Sequence, residues 1–296
     1  MKNLIHSIKR SYHKRHSIST IKKAPISNTP VANIHRIDTS NAGDYYCAPH
    51  HYFDALKGTH LDIFSYKSID KNRRQNFIDT VSQKSLIIGG GGLLNRNGFK
   101  RQMQLFESLA SNGKKIVLWG IGHNDKHNMS NGINYNINTS QFALAGLRDY
   151  SKAEHYVPCV SCLHPIFDQP FTESQDIGIV FHKDTLKKEN ILSKFKSYPT
   201  ASNIMKFEDI IDFIKLTNKI VTDSYHVMYW SMLLNKKVVV IPNSSKFFDF
   251  KYHPVISNFD DAISQLSKAN AYTGILEECR TINHKFADKA FDYLNI

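Results

Sequence analysis

The stretch VTDSYHVMYWSMLLNKKVVVIPNSSKF, residues 221–247, sets the reading of the whole chain. A β-branched run ends at Thr222-Asp223, and Ser224 stands where a helix N-cap belongs, so a helix is predicted over 225–234. A second β-branched run, 237–242, leads into Ser244-Ser245-Lys246. Strand, turn, helix, strand, turn is the order of parallel sheets with helical crossovers. The spacing places His226 in the first turn of a helix, beside its positive dipole end. A phosphate there would gain backbone N–H donors and, from a protonated imidazole, a counter-charge. At the next turn Ser244 and Ser245 offer hydroxyls and Lys246 a point charge. A lone histidine in such a helix is more often a packing residue; two such turns on neighbouring strands favour a ligand site.

The same alternation extends outward. Strands are predicted at 31–38, 61–66, 85–89, 115–120 and 142–148, with helices at 44–56, 68–82 and 99–112. After the Pro-rich stretch VPCVSCLHPIFDQP (157–170) it restarts at 176–182 and continues through a helix at 207–217 and a strand at 219–223. No internal repeat of fixed period is visible. The expected fold class is α/β, with two facing Rossmann-like domains built on parallel sheets. The expected boundaries are a basic N-terminal arm at 1–30, an acceptor-side domain at 31–168 and a donor-side domain at 169–296. Ligands in such sheets lie beyond the carboxyl ends of strands, so the informative motifs are those just after strands.

Lys and Arg total 38 against 26 Asp and Glu, a net charge of +12, which points to an anionic partner: nucleic acid, a membrane surface or a phosphorylated small molecule. Much of the charge lies in the arm, with seven Lys/Arg and no acid in residues 1–23. Leu4, Ile5, Ile8 and Tyr12 fall roughly on one helical face, which suits peripheral contact with an anionic membrane; a solvated tail is the plainer reading. No apolar run reaches the length of a membrane span and the start lacks a secretory signal, so the expected location is cytoplasmic, with the inner membrane face open to the arm. The four cysteines, Cys47, Cys159, Cys162 and Cys279, are too scattered for a disulfide framework. The Cys159-Val-Ser-Cys162 pair has no second pair to complete a zinc site, so packing thiols are expected and no metal.

Three further motifs follow strands. Gly89, Gly90, Gly91 and Gly92 allow close backbone approach by an anionic or sugar ligand, although a structural turn would explain two of them. They match neither a dinucleotide fingerprint nor a phosphate loop. Asn41-Ala42-Gly43-Asp44 reads as a turn feeding a helix, with Asp44 either an ordinary helix-terminal carboxylate or a base in the cleft. Arg148 offers a planar fork for carboxylate or phosphate, against the plainer reading of a local pair with Asp149.

Taken in order, these pieces resemble the polysaccharide pyruvyl transferase family. The resemblance runs from about residue 38 to the end, through Asn41-Gly43-Asp44, the Gly run, Trp119 to Gly122, Arg148-Asp149-Ser151, VPCVSC (157–162), TDSYH (222–226) and SSKF (244–247). It implies a GT-B-like arrangement and transfer of the enolpyruvyl unit of phosphoenolpyruvate onto two hydroxyls of a sugar in a cell-surface glycan or its precursor, giving a cyclic ketal. It also implies that His226 and Arg148 handle phosphoenolpyruvate as donor substrate, and that the acceptor is a saccharide, which can be lipid-linked. His226, with a pKa near neutrality, would serve as acid, and Asp44 would accept a hydroxyl proton. Asn41, Gly43, Ser224 and Tyr225 would line the substrate site. No cofactor and no nucleic-acid partner are expected. Where many members resemble S-R-x-H-G, this chain reads Asp223-Ser224-Tyr225-His226-Val227, so Lys246 and Arg148 are expected to supply the charge of the missing arginine. The competing readings are a GT-B glycosyltransferase using a nucleotide sugar, with Glu208 and Tyr225 as its candidates, and a non-catalytic sugar-binding protein of the same fold.

Overall fold

The structure, a computed structural model, describes residues 2–127, 129 and 132–296, with side chains of the first helix described from Lys9 onward. The elements in chain order are α1 (Lys2–Lys23), β1 (Val31–His35), α2 (Ala42–Tyr46), β2 (His60–Asp62), α3 (Lys71–Gln83), β3 (Ser85–Leu94), α4 (Lys100–Ala110), β4 (Ile116–His123), β5 (Leu144–Leu147) and β6 (His155–Tyr156). The second series comprises β7 (Gln175–Phe181), α5 (Glu189–Leu192), β8 (Thr200–Ser202), α6 (Phe207–Leu216), β9 (Thr217–Thr222), α7 (Tyr225–Leu233), β10 (Lys237–Val240), β11 (Val255–Ile256), α8 (Ala262–Gln265) and α9 (Ile275–Leu294). One sheet has the order β2-β1-β3-β4-β5-β6 and the other β11-β10-β9-β7-β8. Every pairing in both is parallel, as the alternation requires. Two parallel-only sheets flanked by helices are the two-domain Rossmann-like arrangement expected from the sequence.

The central strands read as near-continuous apolar runs because helices cover both faces. Leu86, Ile87, Ile88, Ile116, Val117 and Leu118 are all buried in the first sheet, as are Ile220, Val221, Val238 and Val239 in the second. Helix starts follow local chemistry. Asp70 caps α3 by accepting from Asn72 N (2.8 Å) and Arg73 N (3.1 Å). The helix expected over 44–56 is instead α2 followed by single 3-10 turns at 49–51 and 54–56. Pro49 has no N–H to continue α2, and it opens the next turn.

Two segments depart from simple linear domains. Helix α1 docks on the first domain through Ser17, whose hydroxyl donates to Tyr66 O (2.8 Å), and through Ile21, buried in its core. Leu4, Ile5 and Ile8 lie outside the described side chains, while Tyr12 is exposed. Helix α9 returns to the first sheet, where Phe286, Ala287, Ala290 and Leu294 pack with Val31, Ile87, Val117 and Trp119. The Trp119 indole N–H donates to Asn283 Oδ1 of that helix (3.0 Å). The second domain's chain thus buckles the two together. Across the cleft, Lys126 pairs with Asp184 (3.1 Å) and Ser245 N donates to Asp125 O (2.8 Å).

Candidate functional site

The strand order reverses between β1 and β3 in the first sheet and between β7 and β9 in the second. The loops leaving these four strands face each other, at the point where open parallel sheets bind ligands. They enclose two adjoining chambers. The outer one, ≈ 390 Å³, is lined from the first domain by residues including Arg36, Asp38 and Arg96 and from the second by His182, Lys183 and Asp184. The inner one, ≈ 30 Å³, ends on Arg148, Ser224, Tyr225 and His226. Asn41, Asp44, Asn124, His182 and Lys246 belong to the walls of both.

Helix α7 forms the back wall. All nine of its residues are buried, and its sequence is apolar on every side, as a helix wedged between layers must be. Ser224 occupies the N-cap position with extended backbone, but its hydroxyl makes no capping bond. Ser224 and the first-turn residues Tyr225 and His226 line the inner chamber, and the first-turn N–H groups have no side-chain cap. His226 packs against Trp230 with ring centroids 5.7 Å apart, and its Nε2 has no hydrogen-bond partner among the described residues. Burial, reinforced by Arg148 and Lys246, pushes the imidazole well below its usual value. The chain alone therefore holds His226 neutral, which corrects the expectation of a group poised near neutrality.

Arg148 is 2% exposed, yet its Nε and Nη1 find no partner among the described residues. Its guanidinium lies 4.2 Å from the centroid of the Tyr225 ring, and Gly122 leaves room for its stem. The plainer reading of a local pair with Asp149 fails geometrically. Asp149 accepts instead from His123 N (2.6 Å) and the Tyr135 hydroxyl (2.9 Å), and burial raises its carboxyl to about 6. A buried guanidinium with unfilled donors costs about 1–3 kcal/mol per group left unmade, so it suits a planar anion that fills the fork.

The opposite wall is α2. Asn41 Nδ2 donates to Asp44 Oδ2 (3.0 Å), which aims the carboxylate into the cleft. Burial raises the Asp44 pKa, opposed by Lys246 and Arg96. Gly43 lies directly against the second domain: a methyl group there would fall 2.0 Å from His226 Nδ1. Beneath α2, Asn33 Oδ1 accepts from His50 N (3.1 Å) and the buried His35 and His50 rings meet at 3.1 Å through their Nε2 atoms. Half-buried Lys246 extends over the Tyr225 and Phe247 rings. Burial, then Arg148, lowers its ammonium to about 7, while Asp44 pulls the other way.

Other expected site residues sit differently. Gly89 to Gly92 lie inside β3, which runs on to Leu94, and not in a loop after it. Gly90 has φ +85°, and a methyl there would meet Cys47 O at 2.0 Å, so this glycine admits the chain's own α2 segment. Gly91 (φ +84°) faces Cys47 and Asp44, and Gly92 alone of the run borders the inner chamber. Ser245 is engaged: its hydroxyl bonds His123 Nδ1 and accepts from Asp125 N (2.8 Å), so it clasps the two domains. Ser244 is fully buried outside both chambers, and its Oγ has no partner among the described residues. Asp223 organises loops by accepting from His182 N and Thr185 Oγ1, both at 2.6 Å.

Sequence reasoning missed Asn124, His182 and Arg96. Asn124 follows β4, is buried, and leaves its Oδ1 without a partner among the described residues. His182 follows β7, and burial lowers its pKa to about 4. Asn124 and His182 stand directly after a strand, the signal that found Arg148, and Arg96 lies two residues past β3. All four cysteines are buried and free, and burial raises their thiols. Among the described residues no group of three or more His, Cys, Asp or Glu is placed to hold a metal ion. No helix among them is long and apolar enough to cross a membrane.

Two parallel-sheet domains meeting at their reversal points over a buried guanidinium and a helix N-terminus define an α/β protein with an interdomain cleft. The sequence profile of the family described as polysaccharide pyruvyl transferase matches residues 41–245, from Asn41 on α2 to Ser245 at the interdomain clasp. The chain belongs to that family, and the family makes a transferase acting on polysaccharide its class. No curated protein matches the chain.

Proposed function

We propose that the protein transfers the enolpyruvyl unit of phosphoenolpyruvate onto two hydroxyls of a saccharide, forming a pyruvate ketal and releasing phosphate. The observation that carries this reading is Arg148, buried with two unfilled donors beside the first turn of α7 and Lys246. Phosphoenolpyruvate brings a carboxylate for a planar fork and a phosphate for helix N–H groups and an ammonium. His226 is neutral before the donor arrives, and the donor's charge raises its pKa, so it carries a proton into the complex. Asp44, whose raised pKa lets it arrive protonated, gives a proton to the enol methylene carbon, and one sugar hydroxyl adds to the oxocarbenium-like carbon as its own proton returns to Asp44. The C–O bond to phosphate then breaks with His226 protonating the leaving oxygen, and the second hydroxyl closes the ring as its proton passes back to His226. The raised pKa of Asp44 suits a carboxyl that is protonated when the cycle begins and basic enough to take a hydroxyl's proton in return.

The nucleotide-sugar reading is weaker on two counts. Tyr225 is buried, 3% exposed, with the Arg148 guanidinium 4.2 Å from its ring centroid, so it offers no open face to a nucleobase. Glu208 lies in the first turn of α6 and lines neither chamber. Thermal-shift measurements separate the two readings. Phosphoenolpyruvate should raise the melting temperature and nucleotide sugars should not; the reverse result overturns the proposal.

Two expectations follow for the donor site. Arg148→Lys should weaken phosphoenolpyruvate binding by about 10- to 100-fold, the worth of a charge-assisted hydrogen bond replaced by a point charge. Calorimetry giving equal affinities would make Arg148 a structural cation. The second concerns pH. Lys246 is charged below its pKa of about 7 and loses that charge as pH rises through it, so kcat/KM for the donor should fall above about pH 7. Lys246→Arg should move the fall to much higher pH. An unchanged profile in that variant assigns the titration to another group.

A further inference from the structure

The first-domain rim of the outer chamber carries a platform that donor handling leaves unused. Phe64 and Phe99 stack with centroids 5.0 Å apart at an angle of 8°, and both line the chamber. Lys67 Nζ lies 3.5 Å from the Phe64 centroid, Arg36 lies 5.2 Å from it, and Arg96 lies 5.7 Å from the Phe99 centroid. Carboxylates here are outnumbered. Asp62 is shared by Arg36 (2.7 Å) and Arg73 (3.4 Å), and Asp38 by Arg36 (3.7 Å) and Lys183 (3.7 Å). Lys67 and Arg96 pair with no carboxylate among the described residues.

Helix α1 prolongs this row. Arg10, Lys14, Ser17 and Ile21 recur at steps of four, three and four, so they share one helical stripe. Ser17 and Ile21 fix that stripe to the Tyr66 segment, next to Lys67. Lys14 and Arg10 are close enough that, after burial, their charges are the next causes lowering the Lys67 ammonium, to about 8. Lys67 thus sits beside other cations against their repulsion, and an anionic ligand relieves it.

We propose that this row, running from the cleft mouth over Lys67 to Arg10 and Lys14, is a subsite for an acidic acceptor glycan, one bearing carboxylates or phosphates along its chain. The inference rests on the transferase reading, since it makes the platform the path by which the acceptor enters. A glycan fits better than a membrane because the row continues into a chamber that a flat surface cannot enter. The docking of α1 also commits Ile21 to the core, where it is unavailable to lipid.

The test is direct binding by the full chain, which needs no turnover. The probes are an oligogalacturonate, its fully methyl-esterified counterpart of the same length, and vesicles of phosphatidylcholine with phosphatidylglycerol. Wild type should bind the acidic oligomer at least about tenfold more tightly than the ester at low ionic strength, and high salt should erase the difference. Arg10→Gln/Lys14→Gln/Lys67→Gln should lose about tenfold for the acidic oligomer, the combined effect of modest exposed charge contacts. The double variant Arg10→Gln/Lys14→Gln, which leaves the Phe64 contact intact, should lose part of it. The thermal shift given by phosphoenolpyruvate should be the same in all three proteins. Equal binding of the two oligomers, or unchanged binding in the triple variant, overturns the proposal. So does loss of vesicle binding in the variants with oligomer binding intact, which would assign the row to a membrane. Absence of any phosphoenolpyruvate shift in wild type would instead refute the donor reading and leave the oligomer comparison standing.

Discussion

His226→Ala is expected to lower phosphate release from phosphoenolpyruvate, measured with acceptor present, by about 10²- to 10⁴-fold, the range lost with a general acid or base. The structural cost should be modest. The substitution empties an imidazole's space beside Trp230 but also removes a buried nitrogen that has no partner, and these act in opposite directions on stability. His226→Gln sharpens the test, because the amide retains polarity and most of the volume yet cannot carry a proton. Both variants should melt close to wild type and both should be nearly inactive. Turnover near the wild-type rate in His226→Gln would reduce the histidine to a packing group, the plainer of its two readings.

How much of this was legible from residues alone depended on how local the cause was. Strand and helix positions follow from periodicity and capping, so β7, β9, α7 and β10 fall within a few residues of their expected places. The after-strand rule found Arg148, His226, Asp44 and Lys246, and all four line the chambers. What it could not show is which polar groups spend their hydrogen bonds on the protein itself. Ser244-Ser245-Lys246 reads as one motif, yet Ser245 ties down His123 and Asp125 while Lys246, one residue on, faces the cleft. That split is decided by a loop 120 residues away in the chain. The glycine run divides for a related reason. Gly90 admits the chain's own α2 segment while Gly92 borders the inner chamber, and a strand pressed by another backbone needs glycine as much as one approached by a ligand does. The histidine's protonation state was likewise invisible, since it is set by burial and by two cations from separate motifs.

The largest consequence of that long-range dependence lies at Gly43, where the two domains touch through an absent side chain. Gly43→Ala would place a methyl 2.0 Å from His226 Nδ1, 2.5 Å from its Cγ and 2.9 Å from its Cβ. Because Cβ is fixed to the α7 backbone, rotating the ring cannot relieve the whole overlap. Either α2 must withdraw, taking Asp44 and its Asn41 hydrogen bond with it, or α7 must recede with Arg148's Tyr225 platform. Both routes separate the groups assigned to proton transfer by a distance on the order of 1 Å, which costs about a hundredfold in rate. The variant is therefore expected to lose about 10²-fold in turnover, although it removes no functional group and alters no charge. It should also melt below wild type by the amount typical of overpacking, about 1–3 kcal/mol. The control is Gly98→Ala, at a position that also borders the outer chamber but has open space where the methyl would go. If Gly43→Ala and Gly98→Ala behave alike, the domains adjust freely across the cleft, and the contact between α2 and α7 does not set the geometry of the site.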